Sequence, residues 1–183
     1  MRTFVIALLY LSYGLSYDRT VRISELKWTF HLPPSMSFKD SAFDGSGNMT
    51  KSWDSSFNRP ALGLFKIQPK DDNYLSCILF LDTSDYSTWK KATTAVARFY
   101  FTAISNLPNY KILDTSLTAC KIDGIDFQKE YVKCCNTDTK DRLYSFRFSR
   151  LYRNFDININ IHYTDQELGK DYLRIVEESK FEE

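Results

Sequence analysis

Apolar and polar residues alternate from Leu26 to Leu32, with Trp28, Phe30 and Leu32 on one side, and Pro33-Pro34 ends the run. That is the pattern of a strand stopped by proline. Leu62 to Gln68 and Tyr74 to Asp82 read as two more strands around the polar turn 69–73. The second contains CILFL, apolar on both faces, which predicts a strand covered on both sides. The period then changes. Trp89, Ala92, Val96, Phe99, Ala103 and Ile104 recur at three- and four-residue steps and predict a helix with that apolar face. Ser84, Asp85 and Ser87 are its candidate caps, and Pro108 stops it.

Four strands follow as two hairpins. Tyr110–Ile122 and Ile125–Cys134 flank Asp123-Gly124, a pair suited to the positive-φ positions of a two-residue turn, and Cys120 faces Phe127 in that register. Leu143–Leu151 and Phe155–Tyr163 flank Tyr152-Arg153-Asn154. In the last strand Ile157, Ile159, Ile161 and Tyr163 alternate with Asn158, Asn160 and His162, so one face is dry and the other polar. Thr164-Asp165-Gln166-Glu167 reads as a capping box with Thr164 as N-cap, opening a helix that turns Leu168, Tyr172, Ile175, Val176 and Ser179 inward. Strands that are mostly antiparallel, with a helix late in each half, predict an α+β layered sandwich.

The stretch 35–60 has no period and is far longer than the usual connection of ~4–6 residues. It is polar in bulk yet carries Met36, Phe38, Phe43, Met49, Trp53 and Phe57. Loops of this kind are commonly functional. Trp53, Phe57 and Phe43 are therefore the candidate partner-binding residues; the alternative is that these rings fold back onto the sheet.

The N-terminus changes the picture of compartment. Arg2 is followed by an unbroken apolar run from Phe4 to Leu11, and Gly14 and Ser16 form a small-x-small site. This is the layout of a secretory signal peptide over 1–16, leaving one domain over 17–183. The run is too short to span a bilayer, which takes ~20 apolar residues. The expected location is the periplasm or the extracellular space. Removing Arg2 leaves 23 basic and 23 acidic residues, so long-range steering of charged partners is weak.

That balance also argues against a nucleic-acid partner, although Arg142, Arg147, Arg150 and Arg153 interleave with Tyr144, Phe146, Phe148 and Tyr152. A stacking surface for single strands is one reading of that hairpin and an ordinary strand pair the other. The four cysteines lack a CxxC spacing and read as small buried hydrophobes, with a long-range bridge from Cys77 left open. His31 and His162 are the two histidines, and no nucleophile motif accompanies them. Neither cofactor, catalytic residue nor metal ligand is expected from the sequence. Asn48-Met49-Thr50 matches a glycosylation sequon.

The opening WTFHLPPSM and the block YLSCILFLDTSDYSTWKKATTAVARFYF, the Asp123-Gly124 hairpin with FQKEYV, and YSFRFSRLYRNFDININIHY leading into ESKF together resemble the Mog1/PsbP-like superfamily. The resemblance covers essentially the whole of 17–183. It implies a central antiparallel β-sheet flanked by helices, an α/β/α sandwich. Members with this fold differ in role, so it transfers no site residue. Two functional classes follow. One is an exported non-catalytic domain that binds a protein or envelope component. The other is a hydrolase or small-ligand-binding protein with a site of scattered carboxylates. An open sheet face with exposed rings favours the first, and convergent carboxylates of raised pKa favour the second.

Overall fold

The computed structural model describes residues 18–56 and 59–182. The proposed signal segment 1–16, Tyr17 and Phe57 lie outside the described residues. Ten strands and two helices follow in the order β1 (Arg19–Ile23), β2 (Trp28–Leu32), β3 (Phe38–Ser41), β4 (Ala61–Lys70), β5 (Asn73–Leu81), α1 (Tyr86–Ser105), β6 (Tyr110–Ile122), β7 (Ile125–Asn136), β8 (Arg142–Tyr152), β9 (Phe155–Tyr163), α2 (Gln166–Glu177) and β10 (Lys180–Phe181). Seven strands form one antiparallel sheet in the order β3-β4-β5-β9-β8-β7-β6, and β1-β2-β10 form a smaller one. Among the described residues the fold is α+β, with two sheets and two α-helices.

The strand between Pro33 and the preceding polar stretch forms as its alternation dictates, and Trp28, Phe30 and Leu32 are all fully buried. The Asp123-Gly124 turn also forms as read, with both residues at positive φ and Cys120 opposite Phe127. All four thiols are free. Cys77 lies in the core, where burial pushes its thiol pKa far up.

One face of the large sheet is the dry one. Leu75, Cys77 and Leu79 of β5 and Ile157, Ile159 and Ile161 of β9 are fully buried there. They share a core with Trp28, Phe30, Tyr172, Ile175, Val176 and Phe181. That side is covered by α2 together with the three-stranded sheet, so its layer is part strand and not helix alone. Trp28 stacks on Phe181 at 5.5 Å and 3°. Asn73 hitches α2 to the sheet. Its Oδ1 accepts from the Thr164 and Asp165 backbone N–H groups, and its carbonyl accepts from the Tyr172 hydroxyl. The N-cap of α2 is Asp165, which accepts from Glu167 and Leu168. Thr164, the expected cap, sits one position before the N-cap, with its hydroxyl accepting from Asn73 Nδ2 at 3.4 Å.

The opposite face of the sheet is polar and carries α1. Here the expected burial of α1 is corrected. Trp89, Thr93 and Ala97 face the sheet, while Val96 is 49% and Phe99 75% exposed. The cause lies beneath the helix. Ser145, Arg147 and Glu130 project from that sheet face, and Asp156 projects beside them. Trp89 donates its indole N–H to Asp156 at 2.9 Å, and the Tyr100 hydroxyl lies 3.4 Å from Ser145 Oγ. A polar floor selects the polar and small stripe of the helix, and the most apolar stripe is rotated outward. β5 is likewise not covered on both sides, since Ile78 and Phe80 on its outer face are only half-buried.

Candidate partner-binding groove beside the first helix

Ala92, Val96, Phe99 and Ala103 are all exposed, and Leu107 just beyond the helix is 48% exposed. Steps of four, three and four residues place them in one row along the flank of α1. This is the spacing by which one helix offers a seam to another. Asp85 anchors the helix start, accepting from the Ser87 and Thr88 N–H groups.

Between this flank and β5 lies a cleft of about 300 Å³, with Phe80, Ala92 and Val96 among its walls. Its floor is a set of paired charges. Arg59 bridges Asp82 and Asp156, and its guanidinium sits 4.5 Å above the Phe80 ring. Arg147 pairs with Glu130, which is 2% exposed. Burial raises the Glu130 pKa and the Arg147 partner opposes that rise. Asp82 is held below the usual range: burial raises it, and bonds from Ser84 together with the Arg59 charge outweigh that. Each charge of the floor thus has an opposite charge beside it, and the wall is apolar. Beyond the cleft, a side chain at Gly63 on β4 would meet nothing within 4 Å, so the sheet face stays open there.

The residues expected to bind a partner are placed elsewhere. Phe43 is buried, edge-on to Phe38 at 5.2 Å and to Phe65 at 6.4 Å. It has little surface to offer a partner. Trp53 is half-buried and stacks on Phe155 at 5.8 Å and 7°. Met36, Phe38 and Met49 also pack on the core. The described part of the 35–60 stretch folds back onto the sheet, with Phe43 bridged to Met49 and Asp54 to Ala61. Phe57 lies outside the described residues.

The arginine-rich hairpin is likewise occupied. Arg147 is in the ion pair under α1, while Arg150 lies over Tyr86 and Arg153 over Tyr152. His31 is exposed with its ring 3.3 Å from Thr20 Oγ1. The residues of the α1 flank that sequence reasoning missed as a site are Val96, which also lines the cleft, and Phe99. The signal was present: the apolar arc of α1 is wider than the stripe a helix needs to sit on a sheet.

No protein-family model matches the chain, and no curated protein matches it in sequence. Solved structures do resemble it. The solution structure of cyanobacterial PsbP (CyanoP) from Synechocystis sp. PCC 6803 superposes with a TM-score of 0.55 at 10% identity, covering 93% of this chain and 96% of that one. The crystal structure of LpqN, involved in cell envelope biogenesis of Mycobacterium tuberculosis, gives a TM-score of 0.43 at 11% identity, covering 91% of each chain. The likeness to PsbP is one of fold alone, and it is the kind of fold that the sequence resembles. Among the described residues no helix is long and apolar enough to cross a membrane.

Proposed function

We propose that this chain is an exported, non-catalytic domain that binds a protein or envelope component through the exposed flank of α1. The observation that carries this reading is the row Ala92, Val96, Phe99 and Ala103 beside an open sheet face. Full burial of a Phe or Val side chain contributes ~1.5–3 kcal/mol, and the fold leaves most of that unused at Phe99 and about half at Val96. The seam spacing suits the apolar face of a partner helix. The one carboxylate among the described residues whose pKa is raised, Glu130, is sealed under α1 against Arg147, which gives the scattered-carboxylate hydrolase no support.

Phe99→Asp combined with Val96→Asp tests the site. Both positions are exposed, so melting should stay within the ~0.5 kcal/mol typical of surface changes. Photo-crosslinking from position 99 in the native host should give a discrete adduct. The double variant should lose that partner in pull-down. Retained capture with unchanged melting sinks the proposal.

Export is proposed from the N-terminal pattern, with cleavage after Ser16 releasing a domain over 17–183. Intact-mass measurement on protein made in its own host should give a species beginning at Tyr17. A mature species beginning at Met1 or Arg2 contradicts it.

A further inference from the structure

The outer surface of α1 carries charge as well as apolar area. The helix has three basic residues, Lys90, Lys91 and Arg98, and no acidic one, in a chain of 24 basic and 23 acidic residues. All three are exposed. Arg22, Arg59, Arg147 and Arg174 sit in ion pairs. The three cations of α1 have neither an ion-pair nor a ring partner among the described residues. With Ser87, Thr94 and Ala95 they line a shallow recess that contains no carboxylate. At about 3.6 residues per turn, the crest of α1, opposite the buried Trp89, Thr93 and Ala97, is formed by the small side chains of Ala95 and Thr102. Lys91 and Arg98 lie to one side of that crest and Phe99 to the other. Phe99, at 75%, is the most exposed large apolar side chain among the described residues.

We propose that the crest of α1 rests on an anionic lipid bilayer, with Phe99 entering the acyl boundary and Lys91 and Arg98 at the headgroup phosphates. The proposal rests on the reading of α1 as the binding element and names the envelope component as a membrane surface. An apolar ring beside basic residues on an exposed helix is what an interfacial contact needs. Each cation near an anionic leaflet strengthens attachment about fivefold. The small crest lets the three long side chains reach past the backbone to a flat surface. Other occupants fit this face less well. A second copy of the chain would set basic against basic, since α1 offers no carboxylate in return. A partner helix seated in the cleft meets Val96 and leaves Lys91 and Arg98 on the far side of the crest.

The probe is a vesicle, of phosphatidylcholine alone or of a two-to-one mixture with phosphatidylglycerol, sedimented with protein purified from its own host. The mixed vesicles should bind at least about tenfold more tightly, and added salt should weaken that binding. Lys91→Gln with Arg98→Gln should lower it at least about tenfold, and Phe99→Ala severalfold. All three positions are exposed, and Gln and Ala suit a helix, so the variants keep their fold. The charge variant leaves Val96 and Phe99 in place, so it should still capture a protein held in the cleft. If vesicles fail to bind while Phe99→Asp with Val96→Asp still loses a partner, the membrane proposal falls and the reading of the α1 flank stands. The membrane proposal is also overturned if the mixed vesicles bind no tighter than phosphatidylcholine, if the folded charge variant binds them as tightly as the native protein, or if Phe99→Ala changes nothing.

Discussion

A fragment spanning 17–163 should show no cooperative thermal unfolding. It lacks Tyr172, Ile175, Val176 and Phe181, each no more than 6% exposed in the folded chain. At ~1.5–3 kcal/mol for each buried side chain, the loss is comparable to the whole stability of a domain, ~5–15 kcal/mol. The loss is also structural. Trp28 loses the ring it stacks on, and Asn73 loses all its bonds to residues 164–177. Calorimetry of the fragment decides the matter, and a sharp transition near that of the full domain contradicts the account of α2 as core.

Acidification should cost the fold about 3 kcal/mol through one side chain. His162 is half-buried against Tyr74, and its loss of solvent holds its pKa at about 4 against an ordinary 6.5. Between those values the unfolded chain binds a proton that the folded chain refuses. Stability from this group is therefore full above pH 6.5 and falls as pH drops to about 4, at ~1.4 kcal/mol per unit. Glu130, raised by burial, titrates in the opposite sense, so the comparison must isolate the histidine. Urea unfolding of the native protein and of His162→Gln at several pH values does so. The native protein should lose about 3 kcal/mol more than the variant across this window; parallel pH profiles would show that the imidazole protonates freely in the folded state.

Most of the strand framework was legible because its signals are local. The period-2 runs of β8 and β9 and the Asp123-Gly124 turn need no tertiary information, and the inward face of α2 holds at Tyr172, Ile175, Val176 and Ser179. The N-cap is Asp165 and not Thr164, whose hydroxyl is engaged by Asn73, 91 positions away. Strands β1 and β10 escaped notice because both pair only with β2 and are short. The site was less legible. On α1, hydrophobicity alone points Val96 and Phe99 inward. What turns them out is the polar floor under the helix, assembled from three other strands. In the 35–60 stretch, ring content was the right observation, but for Phe43 and Trp53 the rings serve packing.

Strand β9 is the hinge of assembly for the large sheet. It pairs with β5 on one side and β8 on the other, so β3-β4-β5 and β8-β7-β6 are joined only through Phe155–Tyr163. Residues up to 154 can form hairpins as they emerge during synthesis, but the sheet cannot close until β9 has been made. Pairing Leu81 with Phe155 closes a long loop, and such contacts form late because their entropy must be met before they stabilise anything. A chain that postpones its central strand has its sheet in two separate halves for most of its synthesis.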